Sequence, residues 1–302
     1  MVKTGSAGRG STPSANDSDR HPVRPPDLYS RFTTFAAGAK DMLYWIYEIS
    51  ALWIVTLFAA LFVGICWLGV VLLSPLLRAR INPDGTLNEL LGDFLQYFGV
   101  MYGLLLGLLA VATYQNHSDV EKAVSSEASS LAALYRDVSG YPEPQRTELK
   151  TFLREYTRYV IDEAWSLQRQ GMVPTGAVKR IAEFQERLIR FEPQTKAQEA
   201  LHDAALRQFN SFFEHRRTRL NSVNSGIPAL LWYTVAVGAL INMIFIWSFD
   251  LRPNAHLLYG GVISFFLATM ISLIALMDNP FRGEVGVSAE AFQLVYDQLM
   301  QE

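Results

Sequence analysis

The sequence predicts an all-α polytopic membrane protein with four transmembrane helices and a cytoplasmic helical bundle inserted between helices two and three. Two observations carry this reading. Four long runs, Ile49–Leu77, Phe94–Ser118, Asn221–Phe249 and Pro253–Met277, contain no Asp, Glu, Lys or Arg. Each is at least as long as the roughly 20 residues that a helix needs to cross a bilayer, and each is apolar all round rather than on one face. The segment between the second and third runs is polar. Its apolar residues recur at helical spacing, with no strand alternation anywhere.

Taken in order, residues 1–27 are rich in Ser, Gly, Pro and charge, a composition that cannot bury a core, so a disordered N-terminus is expected. No signal peptide precedes the first run, which starts too late and is too long for one. Residues 28–48 read as an amphipathic interfacial helix, with Tyr44, Trp45 and Tyr47 suited to the headgroup region. Residues 49–113 supply spans one and two, residues 114–222 a cytoplasmic helical domain, and residues 223–278 spans three and four. Residues 279–302 form a cytoplasmic turn and C-terminal helix.

Within the central domain, Val124, Ala128, Leu131, Tyr135 and Val138 mark one helical face. Ser139–Pro144 breaks it. Leu149, Phe152, Tyr156, Tyr159, Val160, Ala164 and Leu167 form a second stripe, ended by Gly171, Pro174 and Gly176. Val178, Ile181, Phe184 and Leu188 form a third. Leu201, Ala204, Ala205, Phe209 and Phe212 form a fourth. These faces either pack on one another or bury against neighbouring subunits.

Charge orients the chain. Arg20, Arg24, Arg31, Lys40, Arg216, Arg217, Arg219 and Arg282 flank the spans on one side, against Arg78, Arg80 and Arg252 on the other. The positive-inside rule then places both termini and the central domain in the cytoplasm. A net charge of −3 and the lack of a basic stripe give no sign of a nucleic-acid partner. The single cysteine, Cys66, excludes internal disulfides. His21, His117, His202, His215 and His256 are scattered, so no metal site and no cofactor is expected. Motifs of hydrolases, metalloproteases and nucleotide-binding enzymes are absent, and a non-enzymatic protein is expected. Glu48, Asp93 and Asp278 sit at span ends. The uncharged interiors argue against ion-coupled transport.

The second span stands out. Gly99, Gly103 and Gly107 follow one another at steps of four, with Ala110 one helical step further, a small-residue groove that admits another backbone. It serves either helix packing within a subunit, through Gly99 and Ala110, or assembly of several copies round an axis. In the second case Gln96, Val100, Gly103, Leu104 and Gly107 line a narrow pore that gates by dewetting. The face of Phe98, Met101, Leu105 and Leu108 competes for that role.

Span four ends in Met277-Asp278-Asn279-Pro280-Phe281-Arg282-Gly283-Glu284, where Asn-Pro stops the helix. The turn residues of interest are Asn279, Pro280, Phe281, Gly283 and Glu284. With the two-plus-two spans and long helical insert, this turn resembles the bestrophins. From Phe94 to Leu299 the chain resembles more closely the bacterial bestrophin-like membrane family. The resembling segments are Tyr102–Gly107 with Tyr114-Gln115-Asn116, Glu127–Tyr135, Pro142-Glu143-Pro144, Arg216–Leu220 and Asp278–Glu284. The resemblance implies a homo-oligomeric, typically pentameric, anion channel in a bacterial inner membrane, with the second span around the axis. Its partners would be the lipid bilayer, further copies of itself and small inorganic ions such as chloride. The turn departs from the calcium-gated pattern, since Arg282 is inserted and Val-Gly-Val-Ser-Ala follows Glu284. One carboxylate does not meet the six to eight oxygens that Ca²⁺ takes. The alternative function is a non-conducting scaffold or sensor whose cytoplasmic helices bind a protein partner.

Overall fold

The structure, a computed structural model, describes Tyr47, residues 49–82 and residues 85–301. The expected disordered N-terminus and nearly all of the interfacial helix lie outside these residues. Ten α-helices are present among the described residues, and no strand. They are α1 Ala51–Leu72, α2 Ser74–Ile81, α3 Asn88–Val138, α4 Gln145–Tyr159, α5 Trp165–Arg169, α6 Val178–Ile189, α7 Lys196–Asn221, α8 Ala229–Ser248, α9 Pro253–Met277 and α10 Glu290–Val295. Among the described residues four stretches are long and apolar enough to cross a membrane: α1, α3, Lys196–Ser248 with its apolar part in α8, and α9.

The apolar runs and the helices differ at their edges for local reasons. Pro75 lies in the first turn of α2, where it has no helical partner for the missing N–H, and α1 stops just before it at Leu72. The third run starts at Asn221, yet its helix starts only at Ala229, after a 3₁₀ turn over Ser222–Asn224 and an extended Pro228. The expected boundary between residues 113 and 114 falls inside α3. The second span and the first central stripe are one helix of 51 residues, about 75 Å long at 1.5 Å per residue. No residue of the stretch breaks it, since Asn88–Val138 holds no proline.

Two packed regions result. In the apolar half, α9 lies along α1 and also touches α3. Gly69 of α1 admits the Trp247 indole, Gly238 of α8 admits the Tyr102 ring, and a Cβ at either position would collide with it. Tyr102 donates its hydroxyl to the Val235 carbonyl at 2.7 Å, and Trp247 donates Nε1–H to the Cys66 carbonyl at 3.1 Å. His256 is buried and bonds the Ile246 carbonyl through Nε2 at 2.8 Å.

In the polar half, the lower part of α3 packs on α4, α7 and α10 around one core. Val124, Ala128, Leu131, Tyr135 and Val138 are all buried in it, as are Leu149, Tyr156, Ile181, Phe184, Leu188, Phe209 and Phe212. Val178, the first residue of α6, departs from its predicted stripe and is exposed, while Ala177 beside it is buried. The faces bury against one another within one chain. Thr195 caps α7 by accepting from Gln198 N–H at 3.2 Å, the arrangement expected of a Thr three residues before a Gln. Gly171, at φ +76°, ends α5 in a left-handed conformation that costs glycine little.

Candidate functional site

The groove of the second span begins from what surrounds it. The inward face of α3 is formed by Tyr102, Leu106, Leu109 and Thr113, all buried against α8 and α9. Phe98 stacks on Tyr102 at 6.0 Å between ring centroids and meets Phe245 at the same separation. Leu105 also packs on this cluster, as does Ala110. The competing face is therefore split: Phe98 and Leu105 turn toward the chain's own core, while Met101 and Leu108 are exposed.

On the other side of the helix the surroundings change. A Cβ built on Gly99, Gly103 or Gly107 meets no atom of the described residues within 4 Å. Gln96 is exposed, Val100 is 66% exposed and Leu104 59%. The structure thus brings Gln96, Val100, Gly103, Leu104 and Gly107 together on an outward face, while Gly99 flanks it beside the packed side. Among the described residues the three glycines of the groove face open space, unlike Gly69 and Gly238, while Ala110 at its end packs on the core.

Below the membrane segment, α3 carries a feature the spacing did not disclose. Glu127 is fully buried and takes Arg219 of α7 in a two-pronged pair, Nε to Oε2 at 2.6 Å and Nη2 to Oε1 at 3.1 Å. Tyr156 of α4 donates to Glu127 Oε1 at 2.6 Å, and Arg219 Nη1 donates to Gln168 Oε1 at 2.6 Å. The guanidinium also lies over Trp165 and Phe292, 5.7 and 5.5 Å from their centroids. Burial, and then the negative Glu127 beside it, push the Tyr156 phenol up from its ordinary value. The network joins α3, α4, α5, α7 and α10. Glu127 and Arg219 lie 92 residues apart in the chain, so neither period nor motif links them. The hints are that a charged Glu interrupts the apolar face between Val124 and Leu131, and that both partners fall in segments that resemble the family.

The turn after α9 is a structural junction. Phe281 is buried and meets Trp165 edge-on at 5.7 Å. Val287 N–H closes the turn onto the Pro280 carbonyl at 2.7 Å. Asn279 donates Nδ2–H to the Tyr47 hydroxyl at 2.6 Å, which donates on to the Ala275 carbonyl at 3.1 Å. The polar tip of Tyr47 is therefore tied to the end of α9. Gly283 has φ +78° and its carbonyl accepts from Arg169 at 3.5 Å. Glu284 Oε2 accepts from Ala51 N–H at 3.0 Å, taking one of the orphan donors at the start of α1 that Ser50 leaves uncapped. Arg169 and Arg282 line the adjoining cleft of about 830 Å³ with Glu284.

The bestrophin-like domain model matches residues 57–292, the whole of the membrane helices and bundle but for their edges. The chain belongs to the bestrophin-like family. Its fold is shared with mutant forms of a bacterial bestrophin homologue from Klebsiella pneumoniae. One is 12% identical, with a TM-score of 0.56, over 80% of this chain and 98% of that one. A second is 13% identical, with a TM-score of 0.55, over 78% and 98%. A third is 14% identical, with a TM-score of 0.54, over 79% and 99%. No curated protein matches the chain. This bestrophin-like protein is thus a multi-pass membrane protein.

Proposed function

We propose that this bestrophin-like protein is a homo-oligomeric ion channel whose pore is lined by α3, with both termini and the helical bundle on the cytoplasmic side of a bacterial inner membrane. The observation that carries the reading is the open glycine face. One side of α3 is committed to α8 and α9, and the other presents Gly99, Gly103 and Gly107 to nothing among the described residues. A small-residue stripe in a membrane gains its stability from close backbone approach, which here requires a second copy. Val100 and Leu104 then narrow the axis as an apolar constriction, and Gln96 lies one turn nearer the mouth. Five subunits and passage of small anions such as chloride are what the family likeness favours.

The test is ion flux from liposomes loaded with chloride and containing the purified protein. Flux above protein-free liposomes is expected. Gly103→Leu and Gly107→Leu are expected to reduce it at least tenfold, while Leu52→Ala on the exposed side of α1 leaves it near wild type. Background flux from folded, correctly oriented oligomers overturns the proposal.

A further inference from the structure

A small, half-open cavity lies where three spans meet. Its volume is about 80 Å³, and it is lined by Ala112, Thr113 and Asn116 of α3, by Gly226 and Ile227 before α8, and by Asp278 at the end of α9. The space exceeds the roughly 10–15 Å³ that a cavity needs on this measure to hold one water. Gly226 keeps it open, since a Cβ there would come within 3.0 Å of the Asp278 carbonyl and 3.2 Å of its Oδ1.

Asp278 is 3% exposed. Oδ1 accepts from the Ile227 N–H and Oδ2 from Trp232 Nε1–H at 3.1 Å. Both donors are neutral, and Asp278 is in none of the ion pairs among the described residues. A carboxylate has about four acceptor positions, and a buried one calls for a compensating positive charge. The other polar lining groups are oxygen donors to a cation. Thr113 gives its hydroxyl hydrogen to the Leu109 and Ala110 carbonyls at 3.0 Å each, which leaves the oxygen lone pairs for the cavity. The Asn116 carboxamide makes no hydrogen bond among the described residues, and its oxygen is of the same hard type.

We infer that this cavity binds an alkali-metal cation, held by Asp278, Thr113 and Asn116. One carboxylate balances one positive charge, and the three side chains fall short of the oxygen count and acidity that Ca²⁺ takes. The bound ion ties the end of span four and the start of span three to α3. The site stands whether or not α3 lines a pore.

The experiment is thermal melting of the detergent-purified full chain in sodium chloride, potassium chloride and N-methyl-D-glucamine chloride at equal ionic strength. A ligand that binds only the folded state raises Tm, so Tm should be several degrees higher in sodium or potassium than in the organic cation. The larger of the two shifts names the ion. Asn116→Ala keeps both hydrogen bonds of Asp278 and should lose most of the cation-dependent shift while melting near wild type in N-methyl-D-glucamine. Asp278→Asn should lose all of it. Should that variant not fold, Thr113→Val with Asn116→Ala decides the matter. Equal Tm in the three salts overturns the inference, and so does a shift that survives in every folded variant.

Discussion

Glu127 and Arg219 form the buried pair on which the bundle is organised, and the cost of breaking it is set by burial. Truncating one partner leaves the other charge in an apolar core, an effect of about 3–5 kcal/mol. Glu127→Ala is therefore expected to lower the melting temperature strongly. Replacing both partners, as in Glu127→Leu with Arg219→Met, should recover much of the loss, as measured by melting in detergent. Tyr156→Phe removes one donor from the Glu127 carboxylate and should cost about 1–3 kcal/mol. Tyr156 also predicts a pH dependence. Burial first, then Glu127, raises its pKa above the ordinary 10.0, and burial followed by Asp137 does the same for Tyr141. The folded chain holds these protons more tightly than the unfolded chain. The stability they contribute is therefore complete below pH about 10 and is lost as pH rises beyond it. Melting curves taken upward from pH 9 should fall more steeply for the wild type than for Tyr156→Phe. Arg219 also modifies the orientation argument, because one of the flanking cations read as a topological signal is neutralised inside the fold.

At the scale of elements, two kinds of helical glycine are told apart by what faces them. Gly69→Ala drives a Cβ into Trp247 and should destabilise the α1 packing by about 1–3 kcal/mol. Gly103→Ala meets no atom within 4 Å among the described residues and gains helix propensity, so monomer stability should hold or rise by up to about 1 kcal/mol. Oligomer mass, read by cross-linking or native mass spectrometry, should change for Gly103→Ala and Gly107→Leu. Unchanged assembly in both would remove the groove from the interface. The spans and the central stripes were legible in the sequence because period and charge are local signals. The groove was legible as a motif. Its outward direction was not, because Gly69, Gly238 and Gly103 look alike until the partner rings of Trp247 and Tyr102 are in place. The Asp278 cavity was hidden for the same reason, since Thr113, Gly226 and Asp278 come from three separate parts of the chain.

At the scale of the whole molecule, the proposed topology is checked by labelling. On a Cys66→Ser background, Thr86→Cys should react with a membrane-impermeant maleimide added outside intact cells. Gln194→Cys, in the loop between α6 and α7, should react only after permeabilisation. The reverse pattern would invert the protein. Either way, α3 belongs to both halves at once. It carries the glycine face near one end and Glu127 near the other, with no proline in between, whereas the next helical stretch is interrupted by a π turn at Val160–Ala164. In the proposed channel, a twist of the bundle about the long axis of α3 is carried along this unbroken helix, so it also turns Val100 and Leu104 relative to the pore axis.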